Sequence, residues 1–262
     1  MRVFDFTNAI VREPGRSVID GLREDRSATP DLEGVRREHA TYIGALREIG
    51  VKVDVLPPLE AFPDSVFVED PALVFPAGAI LLKPGAPTRL GEREAMRGAL
   101  TRHFEQVLEL EGDAYADGGD VMVTPEVVFI GLSARTNRAG AEALAEKLAQ
   151  LGHKARIAET PKSILHFKTA ASLLDEETVL ATRTMAESGI FERFKIVLTP
   201  ADEEAAANAL RVNDRVFVGD RFPRTIDLLA NEGYAVKALP VTEIGKLDAG
   251  LSCMSLRWRE TH

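Results

Sequence analysis

The sequence predicts an α/β fold made by repetition, of the kind that closes into a propeller around a central pocket, and three observations carry that prediction. A unit of two short β-type runs, a helix-period stretch and a third β-type run recurs at a spacing of roughly 40 to 50 residues, as in propellers and arrays. Two further β-type runs stand alone at the chain ends, where they can complete one blade by pairing across the termini. There is no GxGxxG and no P-loop motif, and strand, strand, helix, strand is not the simple alternation of a doubly wound sheet. The bland alternative is an irregular α/β domain whose internal similarity is accidental.

Along the chain, RVFDF reads as the first lone strand. LEGVRREHATYIGALREIG follows as a helix that feeds the strand VKVDVL. The first full unit is ALVFPAGAILLK, GEREAMRGALTRHF and QVLEL; the second is DVMVTPEVVFI, NRAGAEALAEKLAQLG and KARIA. A looser copy runs through SILHFKTAASLLDEETVLATRT, a weakly marked helix at MAESGIF, and FKIVLTP. The last is ALRVNDRVFVG, PRTIDLLANEG and YAVKALP, before the closing strand CMSLRW. The turns TPE, VND and LDEET are short and polar, as hairpins require, and Gly152 and Gly233 stand where glycine caps a helix.

The composition, 45% hydrophobic and 28% charged over 262 residues, is that of an ordinary globular chain, read here as one domain spanning residues 1–262. No apolar run approaches the ~20 residues that cross a bilayer, and the N-terminus lacks a signal layout. With a single cysteine the chain can form no internal disulfide, so it reads as cytoplasmic, with no membrane partner. Forty-one acidic against 32 basic residues, net −9, argue against nucleic acid and mildly favour a cationic ligand.

Reactive side chains fall near the start of the repeated hairpins: Asp64 to Asp70, Asp117 to Asp120, His166, Asn208 and Cys253, with successive gaps of 53, 49, 42 and 45 residues. Units set about one axis bring such positions together. Singly each is weak. A lone cysteine is usually an inert buried residue, a histidine in an apolar strand is usually a satisfied core group, and DGGD is usually a turn. Arg89, Arg135, Arg183 and Arg221 all follow the second strand of a hairpin, and the pattern does not choose among them.

Together they suggest a reaction on a cation. An ordinary thiol is only a few per cent ionised at neutral pH. A cationic substrate group about 4 Å away supplies roughly 4 kcal/mol at an effective dielectric of ~20, or about three pKa units. A guanidinium is a planar fork of donors that several fixed carboxylates can hold, and Asp64, Glu69, Asp70 and Asp117 are available. After thiolate attack the departing amine needs a proton, which a histidine held by a carboxylate can give and later recover from water.

DSVFVEDPA, KPGAPTR, DGGDVM, GLSARTN, LHFK, AAANALRVN and KLDAGLSCMS, in this order, resemble the guanidine-modifying enzymes of five-bladed α/β-propeller fold, and among them the dimethylarginine dimethylaminohydrolase family. The resemblance runs over nearly the whole chain. It implies Cys253 as nucleophile, His166 as general acid and base, and Asp117 as the carboxylate that orients the histidine. It also implies Asp70 on the guanidinium with Glu69 beside it, and Asp64 at the substrate's amino end. Arg89 and Arg135 become the clamp on the α-carboxylate, Leu22 part of a mobile lid, and Leu247 a backbone carbonyl facing the α-amino group. Residues 17–34, around Leu22, match poorly. Met254 stands where mammalian relatives have a second cysteine and can bind zinc, so no metal and no cofactor are expected.

The implied activity is hydrolysis of Nω-methylated arginines to citrulline and a methylamine, by a monomer or homodimer. The alternatives are the same chemistry on arginine or another guanidino acid, and a non-catalytic binding protein on the same fold.

Overall fold

The computed structural model describes residues 3–260. Among them are five three-stranded sheets, and four repeat one plan. In the first of these, β3 (Ala72–Phe75) pairs antiparallel with β4 (Gly78–Leu81), α2 (Glu92–His103) crosses over, and β5 (Val107–Glu109) returns parallel to β4. The same order joins β6 (Val121–Val123), β7 (Val128–Leu132), α3 (Arg138–Gln150) and β8 (Ala155–Glu159). It recurs in β9 (Ala171–Leu173), β10 (Thr178–Ala181), α4 (Arg183–Glu187) and β11 (Lys195–Leu198). The fourth copy is β12 (Leu210–Val212), β13 (Arg215–Gly219), α5 (Pro223–Asn231) and β14 (Ala235–Leu239).

The fifth sheet is closed by the chain ends. β15 (Leu256–Trp258) pairs antiparallel with β1 (Asn8–Arg12) in the register Asn8 to Trp258 and Ile10 to Leu256, while β2 (Lys52–Leu56), reached through α1 (Leu32–Glu48), lies parallel to β1. This is the five-bladed α/β propeller, with one blade made from both termini.

The middle strands sit between two neighbouring blades, so both sides of their pleat are apolar. Ala9 and Val11 join Leu210, Val212 and Phe217 in the seam between the first and last blades, while Ile10 turns to Leu81, Met96 and Trp258 in the next. Val121 packs with Leu73, Ile80 and Leu144, and its neighbour Met122 with Phe129, Phe167 and Phe191. The fifth seam holds Leu180, Val197, Val216 and Leu229. The hydrophobic core is therefore five separate seams. A fully buried Leu or Phe contributes roughly 1.5–3 kcal/mol, so the seams hold the ring closed.

The helices start and stop on local chemistry. Asp31 caps α1 through the Gly34 N–H, Asn137 caps α3 through the Gly140 N–H, and Gly152 and Gly233 end α3 and α5 at φ +81° and +91°.

Several element assignments differ from the sequence reading: the closing strand is LRW alone, because Cys253 and Met254 belong to a 3-10 turn, and the weak helix is Arg183–Glu187 rather than MAESGIF. The first strand is NAIVR, not RVFDF, which falls partly outside the described residues; NAIVR is buried at every position, which residues 3–6 are not. His166 is not in a strand. It precedes a single 3-10 turn, Phe167–Thr169, and the inner strand begins only at Ala171. SILHF pairs with no neighbouring strand, so its apolar residues do not make it one.

Candidate active site

The inner strand of every blade is approached through one 3-10 turn: Pro63–Val66, Gly118–Asp120, Phe167–Thr169, Glu204–Ala207 and Leu251–Met254. The turns all lie at the same end of the ring, and they carry or adjoin the reactive residues. A pocket of about 210 Å³ results. It is lined by Cys253, His166, Asp64, Asp70, Arg89 and Arg135, with Leu22 and Leu247 over them, so eight of the ten residues singled out meet there.

Asp117 lies directly behind, fully buried. Its Oδ2 is 2.9 Å from His166 Nε2, and its Oδ1 accepts the Gly85 N–H at 2.7 Å. Burial alone would depress the His166 pKa, but the Asp117 hydrogen bond and the charges of Asp70, Asp120 and Asp117 outweigh it and raise it to about 9. Cys253 goes the other way in reactivity. Burial, then Glu69 and Asp70, push its thiol up to about 12, against the smaller help of the Gly250 N–H at 3.5 Å from Sγ and the charge of Lys168. The empty pocket thus holds an un-ionised thiol and an imidazolium.

Arg89 lies buried at the base of the pocket. It bonds Asp70, takes both oxygens of Glu92 at 2.9 and 2.7 Å, and donates to the carbonyls of Asp64 and Phe67. Burial would favour the protonated form of Asp70, but the Arg89 charge prevails and its pKa falls. Burial raises Asp64, and raises Glu92 to about 7. Arg135, by contrast, has no ion-pair partner among the described residues. Arg183 is on the surface beside Glu187, and Arg221 lines a separate groove between the last two blades.

Glu69 does not enter the pocket. Its carboxylate accepts from Lys168 Nζ and from Ser252 Oγ at 3.0 Å, on the far side of the turns from Cys253. The two neighbours lie in a turn that sends their side chains apart, and Asp70 has the pocket side.

The lid segment is present as a latch. The Leu22 N–H donates to Asp64 Oδ1 at 2.9 Å and the Glu24 N–H to Asp248 Oδ2 at 2.6 Å. Asp248 holds a left-handed φ of +52° to reach it.

Two contributing residues, Asp120 and Asn208, carry no role in the sequence reading beyond their place at the hairpin openings. Asp120 accepts Ser133 Oγ and Thr136 Oγ1 at 2.6 Å and the Phe167 N–H at 2.9 Å, so one buried carboxylate ties the loop of Arg135 to the turn of His166. Burial raises it to about 6. Asn208 Nδ2 lies 3.8 Å from Cys253 Sγ while its Oδ1 accepts the Ser252 N–H. The signals available were the second aspartate of DGGD and the asparagine at a hairpin opening. The glycines of DGGD are not needed for a positive φ. A Cβ on Gly118 would meet Glu69 O at 2.0 Å, and one on Gly119 would be 3.0 Å from both Asp70 Oδ1 and His166 Cγ.

Donor atoms of Asp70, Asp117 and His166 fall within 4.8 Å of one another, close enough to hold a cation. Here they already satisfy each other, Arg89, Gly85 and Gly119.

Comparison with known proteins agrees with this geometry. Residues 57–206 match the arginine deiminase family model. N(G),N(G)-dimethylarginine dimethylaminohydrolase of Pseudomonas aeruginosa is 37% identical over 97% of this chain and 100% of its own length. The Streptomyces coelicolor protein of the same name is 31% identical over 97% and 98%. The structure of a P. aeruginosa variant complexed with citrulline superposes with a TM-score of 0.94 at 37% identity, covering 97% of this chain and 100% of that one.

Proposed function

The chain belongs to the dimethylarginine dimethylaminohydrolase family, and from that premise we propose that it hydrolyses Nω-methylated L-arginines to L-citrulline and a methylamine through a covalent adduct on Cys253. One observation carries the reading: thiol, carboxylate-held imidazolium, buried carboxylates and an unpaired arginine converge on one small pocket. The resting protonation states suit a site that waits for its substrate, with the acid already charged and the nucleophile not yet ionised.

The guanidinium binds between Asp70 and Cys253, its charge replacing the desolvation penalty on the thiolate with an attraction. A cation at about 4 Å lowers the thiol by roughly three units at an effective dielectric of ~20, back towards its ordinary value, and the reactive thiolate forms by loss of the proton to solvent, since His166 is already protonated. Sγ attacks the guanidinium carbon. The His166 imidazolium protonates the methylated nitrogen, the carbon–nitrogen bond breaks, and the methylamine leaves a thiouronium on Cys253. Neutral His166 then takes a proton from water, which adds to the same carbon. Collapse expels the sulfur and releases citrulline.

Asp117 keeps the imidazole oriented and charged. Arg135, with Arg89 below it, takes the substrate α-carboxylate; Asp64 and the Leu247 carbonyl take the α-amino group, with Leu22 closing over it. Glu69 acts from behind, through Ser252 and the charge it sets against Cys253. The residues need no cofactor for these steps, and the enzyme works on a free small molecule in the cytoplasm, as a monomer or homodimer. No helix among the described residues is long and apolar enough to cross a membrane.

Arginine, or another guanidino acid, is the second reading, favoured by the match to the arginine deiminase family model. Citrulline release from asymmetric dimethylarginine and from arginine, measured side by side, decides. Turnover of the methylated substrate at a kcat/KM well above that for arginine is expected; arginine consumed without turnover of the methylated compound overturns the assignment.

A further inference from the structure

The propeller has a second chamber on its axis that shares no lining residue with the pocket. The inner strands β15, β3, β6, β9 and β12 all contribute to its wall, and its volume is about 180 Å³. A dry apolar cavity of about 150 Å³ is enough to admit a benzene ring. The upper wall is apolar, with Phe6, Phe75, Met122, Leu256 and Trp258.

The floor is polar and carries excess positive charge. Lys168 and Arg257 share one carboxylate, Glu69, with Arg257 Nη2 at 3.9 Å. Arg257 Nη1 is satisfied by the Ser252 and Ser255 carbonyls and Ser255 Oγ, but its Nε is buried without a partner. Ser172, on β9, is 8% exposed and its Oγ is likewise unpartnered. Asp5 and Arg259 pair with each other at 3.0 Å. Arg211 also borders the acidic groove of Asp175, Glu176 and Glu177, which offsets its charge. What remains is two cations on one carboxylate, two orphaned polar atoms and an aromatic wall, within a chain of net charge −9.

We propose that this axial chamber is a binding site for a small aromatic or branched monocarboxylate, the carboxylate on Lys168, Arg257 and Ser172 and the apolar body against the aromatic wall. Ring size suits the volume, and a single negative charge suits the unmatched cation. Its floor is the other face of the active site: Glu69, Lys168 and Ser252 border the chamber, and Asp70, His166 and Cys253 the pocket.

Benzoate is the probe, with benzamide as its neutral counterpart, titrated calorimetrically into the full chain. Two variants fill the chamber, Ser172→Leu and Val74→Phe, and Arg135→Ala removes a front-pocket arginine that has no ion pair among the described residues; circular dichroism identifies the folded ones. Benzoate binding at least tenfold tighter than benzamide is expected, with at least a tenfold loss in either folded filled variant and no change in Arg135→Ala. Equal binding of benzoate and benzamide, binding that survives in a filled variant, or binding lost in Arg135→Ala overturns the proposal.

Discussion

Asp117 holds His166 at 2.9 Å through one carboxylate oxygen and is itself held at 2.7 Å by the Gly85 N–H through the other. The imidazole is thereby fixed in position and in charge. With its pKa raised to about 9 from an ordinary 6.5, it is protonated at neutral pH. The sign for stability follows. The contribution is fully present below about 6.5 and is lost as pH rises through about 9. Proton NMR of the His166 ring in the free protein is expected to show titration well above 7, and Asp117→Asn to bring it down while cutting turnover about a hundredfold or more. A His166 that titrates at its ordinary value in the folded wild type contradicts the assignment.

Cys253 should show the opposite dependence on its guest. A thiol pushed up to about 12 by burial, Glu69 and Asp70 reacts slowly with a neutral haloacetamide at pH 7. A chloroacetamidine carries its own positive charge to the same carboxylates and should label the thiol faster, as mass spectrometry of the modified peptide would show. Cys253→Ser is near-isosteric, so it should leave the melting temperature within a few degrees and abolish turnover. Residual citrulline formation in that variant excludes the covalent route.

Arg135 offers a test of binding as distinct from chemistry. It has no ion pair among the described residues, whereas Arg89 divides its charge between Asp70 and Glu92. A carboxylate clamp acts on ground and transition states alike. Arg135→Ala is expected to raise KM about tenfold or more with kcat within a few fold, and the steady-state split of the two constants checks it. Arg89→Ala should do more damage, because it strands two buried carboxylates, and should lower thermal stability as well.

The ring and its reactive set were legible because each depends on local pattern. Alternation marked the strands of each unit, and hairpin openings marked Asp64, Asp117, His166 and Cys253. What the pattern could not carry was orientation about the axis. Glu69 and Asp70 are neighbours in VEDP, yet one faces the rear chamber and the other the pocket. Register likewise depends on a partner: NAIVR, not RVFDF, is the run that matches both LRW and KVDVL. Arg89 was expected beside Arg135, and its burial against Glu92 requires the start of α2 to fold back three residues on, a tertiary fact. DGGD reads as a turn by composition, while Gly118 serves the close passage of two backbones and Gly119 leaves room for the side chains of Asp70 and His166.

Gly250 stands three residues before Cys253, and its lack of a side chain makes room for Asn208. A Cβ there would sit 2.5 Å from Asn208 Cγ and 2.7 Å from its Oδ1. Its φ of −138° is one that any residue adopts, so backbone strain is not the issue. The glycine is required because Asn208 occupies that space, reaching the Ser252 N–H with Oδ1 and Cys253 Sγ with Nδ2. Gly250→Ala must therefore displace Asn208 or the 3-10 turn that carries the nucleophile. Sγ then loses the Asn208 donor, and the thiolate loses stabilisation that it can draw from few other groups. Turnover is expected to fall tenfold or more, the equivalent of at least about 1.4 kcal/mol, with a small change in KM. The smaller side chain of Asn208→Ala makes room for the new methyl group. Asn208→Ala alone should thus reproduce most of the loss, and the double variant should be no worse than the worse single. If Gly250→Ala turns over normally, Asn208 has no hold on the nucleophile.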